Sequence, residues 1–364
     1  MKKLIWIPLI ILIIGVCIAL AGFAKGGLTS GFYIDRGGIH VHNNDPGKLI
    51  KVDESYQSFE SIEVRADFIE RIDIKEGNAF TVRGQNYERY GGLEVSLEGG
   101  TLKVNAESDK KWTIDFGLDE LFGKHDTWIE ITCPAGTKLD LINVKLSAGG
   151  FYANDTDCTE LLVNNSFGDI RISQIQSDKL TINASSGNID LTSAAVKGPL
   201  KIDNHFGDVE IIDIKAGSLT IELDSGKLKS TNVKADNVNL TNDFGTIEIN
   251  GMETSDLDTK LNSGNLKGSD VIADNIKVKS DFGDIVLDNT VFTKLCQVEN
   301  SSGDVRLGLL MNRNDVSYEL KTDAGSVTVD GSKSSGSVES RAAGASATLR
   351  VKANFGSIKV EFME

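Results

Sequence analysis

From Gly149 to Gly303 a glycine returns every 19 or 20 residues. It stands at Gly149, Gly168, Gly187, Gly207, Gly226, Gly245, Gly264, Gly283 and Gly303, and again, less regularly, at Gly325 and Gly356. The surrounding phrase is nearly constant, as in Ser166-Phe167-Gly168-Asp169-Ile170 and His205-Phe206-Gly207-Asp208-Val209. A period of this size is the mark of a solenoid, in which each repeat is one coil. Such a coil cannot bury its apolar face alone and needs neighbours stacked on both sides.

With the glycine as position zero, positions −7 and −5 are apolar, as in Leu180/Ile182 and Leu219/Ile221, and so are +2 and +4, as in Ile189/Leu191 and Val209/Ile211. Each copy therefore reads as strand, glycine corner, strand. The glycine supplies a corner with positive φ. Position +7 is apolar in several copies (Ile175, Ile214, Val233, Val271) and predicts a third side. Parallel stacking at about 4.8 Å per coil gives eleven coils a length of about 50 Å. The expected fold is all-β: a right-handed parallel β-helix over 141–364, preceded by further strands over 58–140 and by one N-terminal transmembrane helix.

A second period lies on the first. Position −1 is Phe in alternate copies (Phe167, Phe206, Phe244, Phe282 and Phe355) and Ser in those between. Position −3 tends to run the opposite way, small or polar beside Phe and often Leu beside Ser. Exchange of volume between two positions implies one shared space, so the five Phe are expected to form a ladder in the core. The rival reading is an exposed stripe that stacks on sugars. Position −2 is polar throughout, and position +1 adds several Asp. Asx and Ser side chains at corners satisfy backbone amides, which is the expected role here. Stacked carboxylates are also hard ligands, so Asp224, Asp243, Asp281, Asp284 and Asp323 are candidate Ca²⁺ ligands; no other cofactor is implied.

The first residues set the location. Met1-Lys2-Lys3 precede an unbroken apolar run, residues 4–24, long enough to span a bilayer. The lysines place the N-terminus inside and the rest outside. A membrane anchor (residues 1–24) is favoured over a cleaved signal peptide ending at Gly22-Phe23-Ala24, because the run exceeds a usual signal core. Residues 25–57 are rich in glycine and read as a tether; His40 and His42 within it lack a third metal ligand. Phe116–Gly123 is expected as a flap packed over the end or side of the β body, with an exposed docking element as the rival reading. The Gly331–Ser346 stretch, rich in Ser, Gly and Ala, is expected as a loop insertion at 331–346 that leaves the rod and covers its last edge.

The net charge of −15 disfavours nucleic acid and anionic polymers as partners. Three cysteines follow the apolar run (Cys133, Cys158 and Cys296), and they are expected as buried thiols without a disulfide. No nucleophile elbow, phosphate-binding loop or metalloprotease motif occurs. The acidic residues sit on repeat positions, whereas catalytic residues break a pattern. No catalytic residue is assigned, and the chain is expected not to be an enzyme.

The order of parts resembles the bacterial putative-adhesin domain family, over residues 58 to 364. The resemblance is carried by Phe59-Glu60-Ser61-Ile62-Glu63-Val64, Leu93-Glu94-Val95, Gly100-Thr101-Leu102-Lys103-Val104 and Ile129–Leu139, followed by the Ser-Gly-Asp/Asn-Ile/Val corners. It implies a right-handed β-helix on the bacterial surface, with relatives beside envelope-stress genes, among them a membrane-anchored protein of the Lia operon. The family carries no established catalytic residues. The expectation is a non-catalytic module for adhesion or envelope scaffolding, with a surface glycan or an envelope protein as partner. A sensory ectodomain for envelope stress is the alternative, and a glycan-active enzyme the third reading.

Overall fold

The computed structural model describes residues 47–108 and 126–363, together with the backbone of strands at 30–35, 38–43 and 114–115. The apolar run 4–24 and the Phe116–Gly123 stretch lie outside the described residues. Among those described, no helix is long and apolar enough to cross a membrane.

The strands are β1 (Ser30–Asp35), β2 (Gly38–Asn43), β3 (Leu49–Tyr56), β4 (Ser61–Gly77), β5 (Phe80–Tyr87), β6 (Glu94–Glu98), β7 (Thr101–Ala106), β8 (Ile114–Asp115) and β9 (Trp128–Pro134). They continue as β10 (Lys138–Phe167), β11 (Ile170–Ser186), β12 (Ile189–Phe206), β13 (Val209–Ser225), β14 (Leu228–Phe244), β15 (Ile247–Ser263), β16 (Leu266–Phe282) and β17 (Ile285–Ser302). The last are β18 (Val305–Leu309), β19 (Val316–Val329), β20 (Ser332–Ser340), β21 (Ala347–Phe355) and β22 (Ile358–Phe362). The fold is all-β, and it is the solenoid that the glycine period requires.

From β10 to β17 each strand pairs in parallel with the next, one repeat further along the chain. Positions +2, +4, −7 and −5 point inward and are buried, for example Ile170, Ile172, Leu180 and Ile182. Position +7 is buried as well (Ile175, Ile214, Val233, Val271), which makes the third side. That side begins at a second corner the sequence reading missed. Position +6 is left-handed in successive coils: Asp155, Gln174, Ser193, Asp213, Asn232, Gly251, Asp270 and Asn289, with φ from 50 to 72°. Asn, Asp and Gly tolerate that conformation best.

At the glycine corner two constraints coincide. Gly245 has φ 143°, and a Cβ there would sit 1.9 Å from the Gly226 carbonyl oxygen; Gly264 repeats this against Gly245 at 1.7 Å. The corner column is thus packed backbone on backbone, with no space for a side chain.

The ends depart from the simple stack. At the N-terminal end, β4 is a full coil that pairs with β10, and β7 and β9 add parallel rungs beyond it. Antiparallel β6, β5 and β3 close this end. Residues 25–57, expected as a tether, therefore hold β3 and the β1–β2 hairpin. At the C-terminal end the coils stack out of chain order. β21 and β22 lie between β17/β18 on one side and β19 on the other. The last coil of the chain is thus the penultimate coil of the stack. The expected loop at 331–346 is also corrected. Ser332–Ser340 forms β20, which pairs antiparallel with β19 and covers its edge after the turn at Asp330-Gly331. An edge of Ser, Gly and Lys offers little apolar surface for further pairing.

Candidate functional site: an exposed phenylalanine column

The expected core ladder is not in the core. Phe167, Phe206, Phe244, Phe282 and Phe355 are 63, 60, 63, 62 and 66% exposed. Position −3 is the inward one, with Asn165, Asn204, Leu223, Asn242, Leu261 and Ala353 all buried. Alternation along the strand would carry −1 inward too. The corner interrupts it: positions −2 and −1 both lie on its outer side, because the packed glycines leave no room within. The inverse relation between −1 and −3 is therefore not shared volume. Inside the corner, the Asn165 Nδ2 donates to the carbonyls of Gly149 (2.9 Å) and Gly168 (3.0 Å), and Asn204 does the same for Gly187 (3.1 Å) and Gly207 (3.3 Å). These amides pin successive corners together.

The strand registers align position −1 of every coil. Phe167 pairs with Ser186, Ser186 with Phe206, Phe206 with Ser225, Ser225 with Phe244, Phe244 with Ser263, Ser263 with Phe282, and Phe282 with Ser302. Ser302 then pairs with Phe355, and Phe355 with Ala324. The out-of-order coil thus continues the alternation; in chain order, Ser302 and Ala324 would have been neighbours. Successive Phe are about 9.6 Å apart, twice the strand spacing. At the N-terminal end the column continues through Ala148 to Phe68, whose ring packs on Tyr90 at 5.3 Å. Outside this column, the exposed large apolar side chains are only Leu97, Ile272 and Leu310 among the described residues. The apolar surface is therefore concentrated in one line, not scattered as on ordinary surfaces.

Two polar columns flank it. At +1 the side chains serve the corners, as the turn reading expects. Asp169 Oδ1 accepts from the Asn188 amide (3.1 Å), Asp208 Oδ1 from Lys227 (2.8 Å), Asp284 Oδ1 from Asp304 (2.9 Å) and Asp304 Oδ1 from Ser357 (2.8 Å). At −2, Asn262 Nδ2 donates to Asp243 Oδ1 (2.7 Å), and His205 Nδ1 lies 2.5 Å from Asp224 Oδ2. That hydrogen bond holds the His205 pKa above its ordinary value. Of the Ca²⁺ candidates, Asp224, Asp243, Asp281 and Asp323 share the −2 column, and Asp284 lies in the other. The structure does not gather them: no group of three or more His, Cys, Asp or Glu among the described residues is arranged to hold a metal. A shallow groove of about 240 Å³ runs beside the N-terminal part of the column, lined by Asn164, Asn183, Ser185, Asp203 and His205.

Cys133, Cys158 and Cys296 are free and buried, and burial pushes each thiol up to about 12. They are packing groups, not nucleophiles.

The Toastrack DUF4097 family description matches residues 59–230 and again 199–361, nearly the whole rod. The chain belongs to this family. The resemblance read from residues 58 to 364 is thereby borne out. Among solved structures, the Toastrack chain is similar to a putative cell adhesion protein from Clostridium sporogenes (11% identity, 87% of this chain and 100% of that one, TM-score 0.28). It is similar also to a putative adhesin from Bacteroides fragilis (12%, 86% and 97%, TM-score 0.31) and to a putative lipid binding protein from Parabacteroides distasonis (14%, 85% and 97%, TM-score 0.34). No curated protein matches the chain.

Proposed function

We propose that this Toastrack chain is a non-catalytic binding and adhesion module of the bacterial cell surface. In this reading residues 4–24 anchor it in the membrane with the N-terminus inside, and the rod stands outside. The observation that carries the reading is the column of five exposed Phe held in register by a rigid stack. Burying such rings against a partner is favourable, while leaving them in water serves no folding purpose. The other features agree. The +1 carboxylates are occupied with corner amides, burial holds the thiols protonated, and the polar groove beside the column has the amide and carboxylate groups of a recognition surface.

The test uses cells that make the full chain with a C-terminal epitope. External protease on intact cells should remove the epitope and leave a membrane-bound N-terminal fragment. Replacing Phe206, Phe244 and Phe282 together by Ser should reduce attachment of the cells to surfaces or to one another without lowering the amount displayed. An epitope that resists protease until the cells are broken contradicts the location. Unchanged attachment contradicts the role of the column.

A further inference from the structure

The column is its own complement. From Phe167 to Ala324 it has ten rungs, and in stacking order they read Phe, Ser, Phe, Ser, Phe, Ser, Phe, Ser, Phe, Ala. Read backwards, every Phe falls on a small residue and every small residue on a Phe. We propose that two copies of this chain pair antiparallel through the column, about a two-fold axis between the Phe244 and Ser263 rungs, with their rings interleaved.

In this register Phe167 lies against the partner's Ala324, Phe206 against the partner's Ser302, and Phe244 against the partner's Ser263. A ring entering a slot sits about 4.8 Å from the rings above and below. That distance lies inside the range of roughly 4.5–7 Å that aromatic pairs favour. A parallel pair at level register instead sets Phe on Phe and leaves the slots empty. Phe68, which already packs on Tyr90, is the ring that the ten-rung overlap leaves out. A two-fold contact of this kind is closed, so it stops at two copies.

The area is sufficient but modest. Rings 60–66% exposed, on side chains of roughly 150–250 Å², offer about 600 Å² per copy. The pair then buries about 1,200 Å², the lower edge for a specific interface. The flanks add one attraction and two repulsions per half. Lys227 comes level with the partner's Asp284, but Asp224 comes level with the partner's Asp281 and Asp208 with the partner's Asp304. Added salt screens such exposed charges, so the pair should tighten as salt rises. With the N-terminal anchoring proposed above, and resting on it, an antiparallel pair joins two membranes, because its two anchored ends point apart.

The test is the mass of the full chain in detergent, by sedimentation or light scattering, across protein concentration and at low and high salt. A dimer is expected, tighter at high salt. Replacing Phe206, Phe244 and Phe282 by Ser should weaken it at least tenfold. The deciding variant fills slots instead: Ser225→Phe with Ser263→Phe adds apolar surface yet should also weaken pairing at least tenfold. A short bismaleimide should join a chain carrying Ser225→Cys to one carrying Phe282→Cys, and should not join two Ser225→Cys chains. A monomeric wild type, stronger association of the slot-filled chain (as for a lipid or glycan stripe), or crosslinking of Ser225→Cys chains only to each other overturns the proposal. Because these readouts measure mass and register in solution, they can fail without touching the surface location, and the reverse.

Discussion

Two columns run along the same corner, two residues apart, and they behave in opposite ways. Position −3 is buried and carries Asn, Leu, Ser, Thr or Ala; position −1 is exposed and carries Phe in every second coil. Polar amides face inward and large aromatic rings face outward. The inversion shows that side-chain polarity did not set direction here. Direction was set by the glycine corner, whose backbone packing takes up the interior and whose carbonyls accept from Asn amides in several coils. The inner column serves the fold, and the outer one is left facing solvent.

The comparison breaks most sharply at the corner itself. Gly245→Ala would place a Cβ 1.9 Å from the Gly226 carbonyl oxygen in a residue with φ 143°. Left-handed strain and overpacking together should cost about 3–5 kcal/mol, read as a lower midpoint in denaturant unfolding. The inner column comes next. Asn204→Ala removes the donor to Gly187 and Gly207, and should cost about 1–3 kcal/mol for carbonyls left unpaired inside. The outer column should be nearly silent by the same measurement. Phe244→Ser should change stability by no more than about 0.5 kcal/mol, as for surface sites without special contacts.

The smallest effect concerns His205. Its raised pKa comes first from the hydrogen bond to Asp224. The contribution is present below the ordinary histidine value and fades as pH rises through the raised one. Asp224→Asn should return the imidazole titration toward the ordinary value in an NMR titration, with little change in unfolding.

The solenoid, its three sides and its inward columns were legible because the period of 19 or 20 repeats with apolar pairs fixed around each glycine. The direction of the Phe column was not. Counting by twos through Asn165, Ser166 and Phe167 puts the ring inside, and only the close approach of the corner glycines shows that the count breaks there. Gln174 and Ser193 hid the second corner, since neither is a usual left-handed residue. The coil order at the end was hidden for another reason. Residues 316–329 and 347–362 have equivalent local patterns, and a local pattern cannot say which coil stacks on β17. One signal was present: Ala324 after Ser302 would have put two small residues together, and Phe355 between them restores the alternation.

The central claim, that position −1 faces water while the strand interior is closed, can be measured directly with thiols. The chain carries an internal standard in Cys296, which is fully buried. In a Phe244→Cys variant kept dilute enough to be monomeric, maleimide should label residue 244 about as fast as it labels the unfolded chain, while Cys296 stays unlabelled under native conditions. Protection of residue 244 comparable to that of Cys296, together with loss of stability in the variant, would contradict the account and return the Phe ladder to the core.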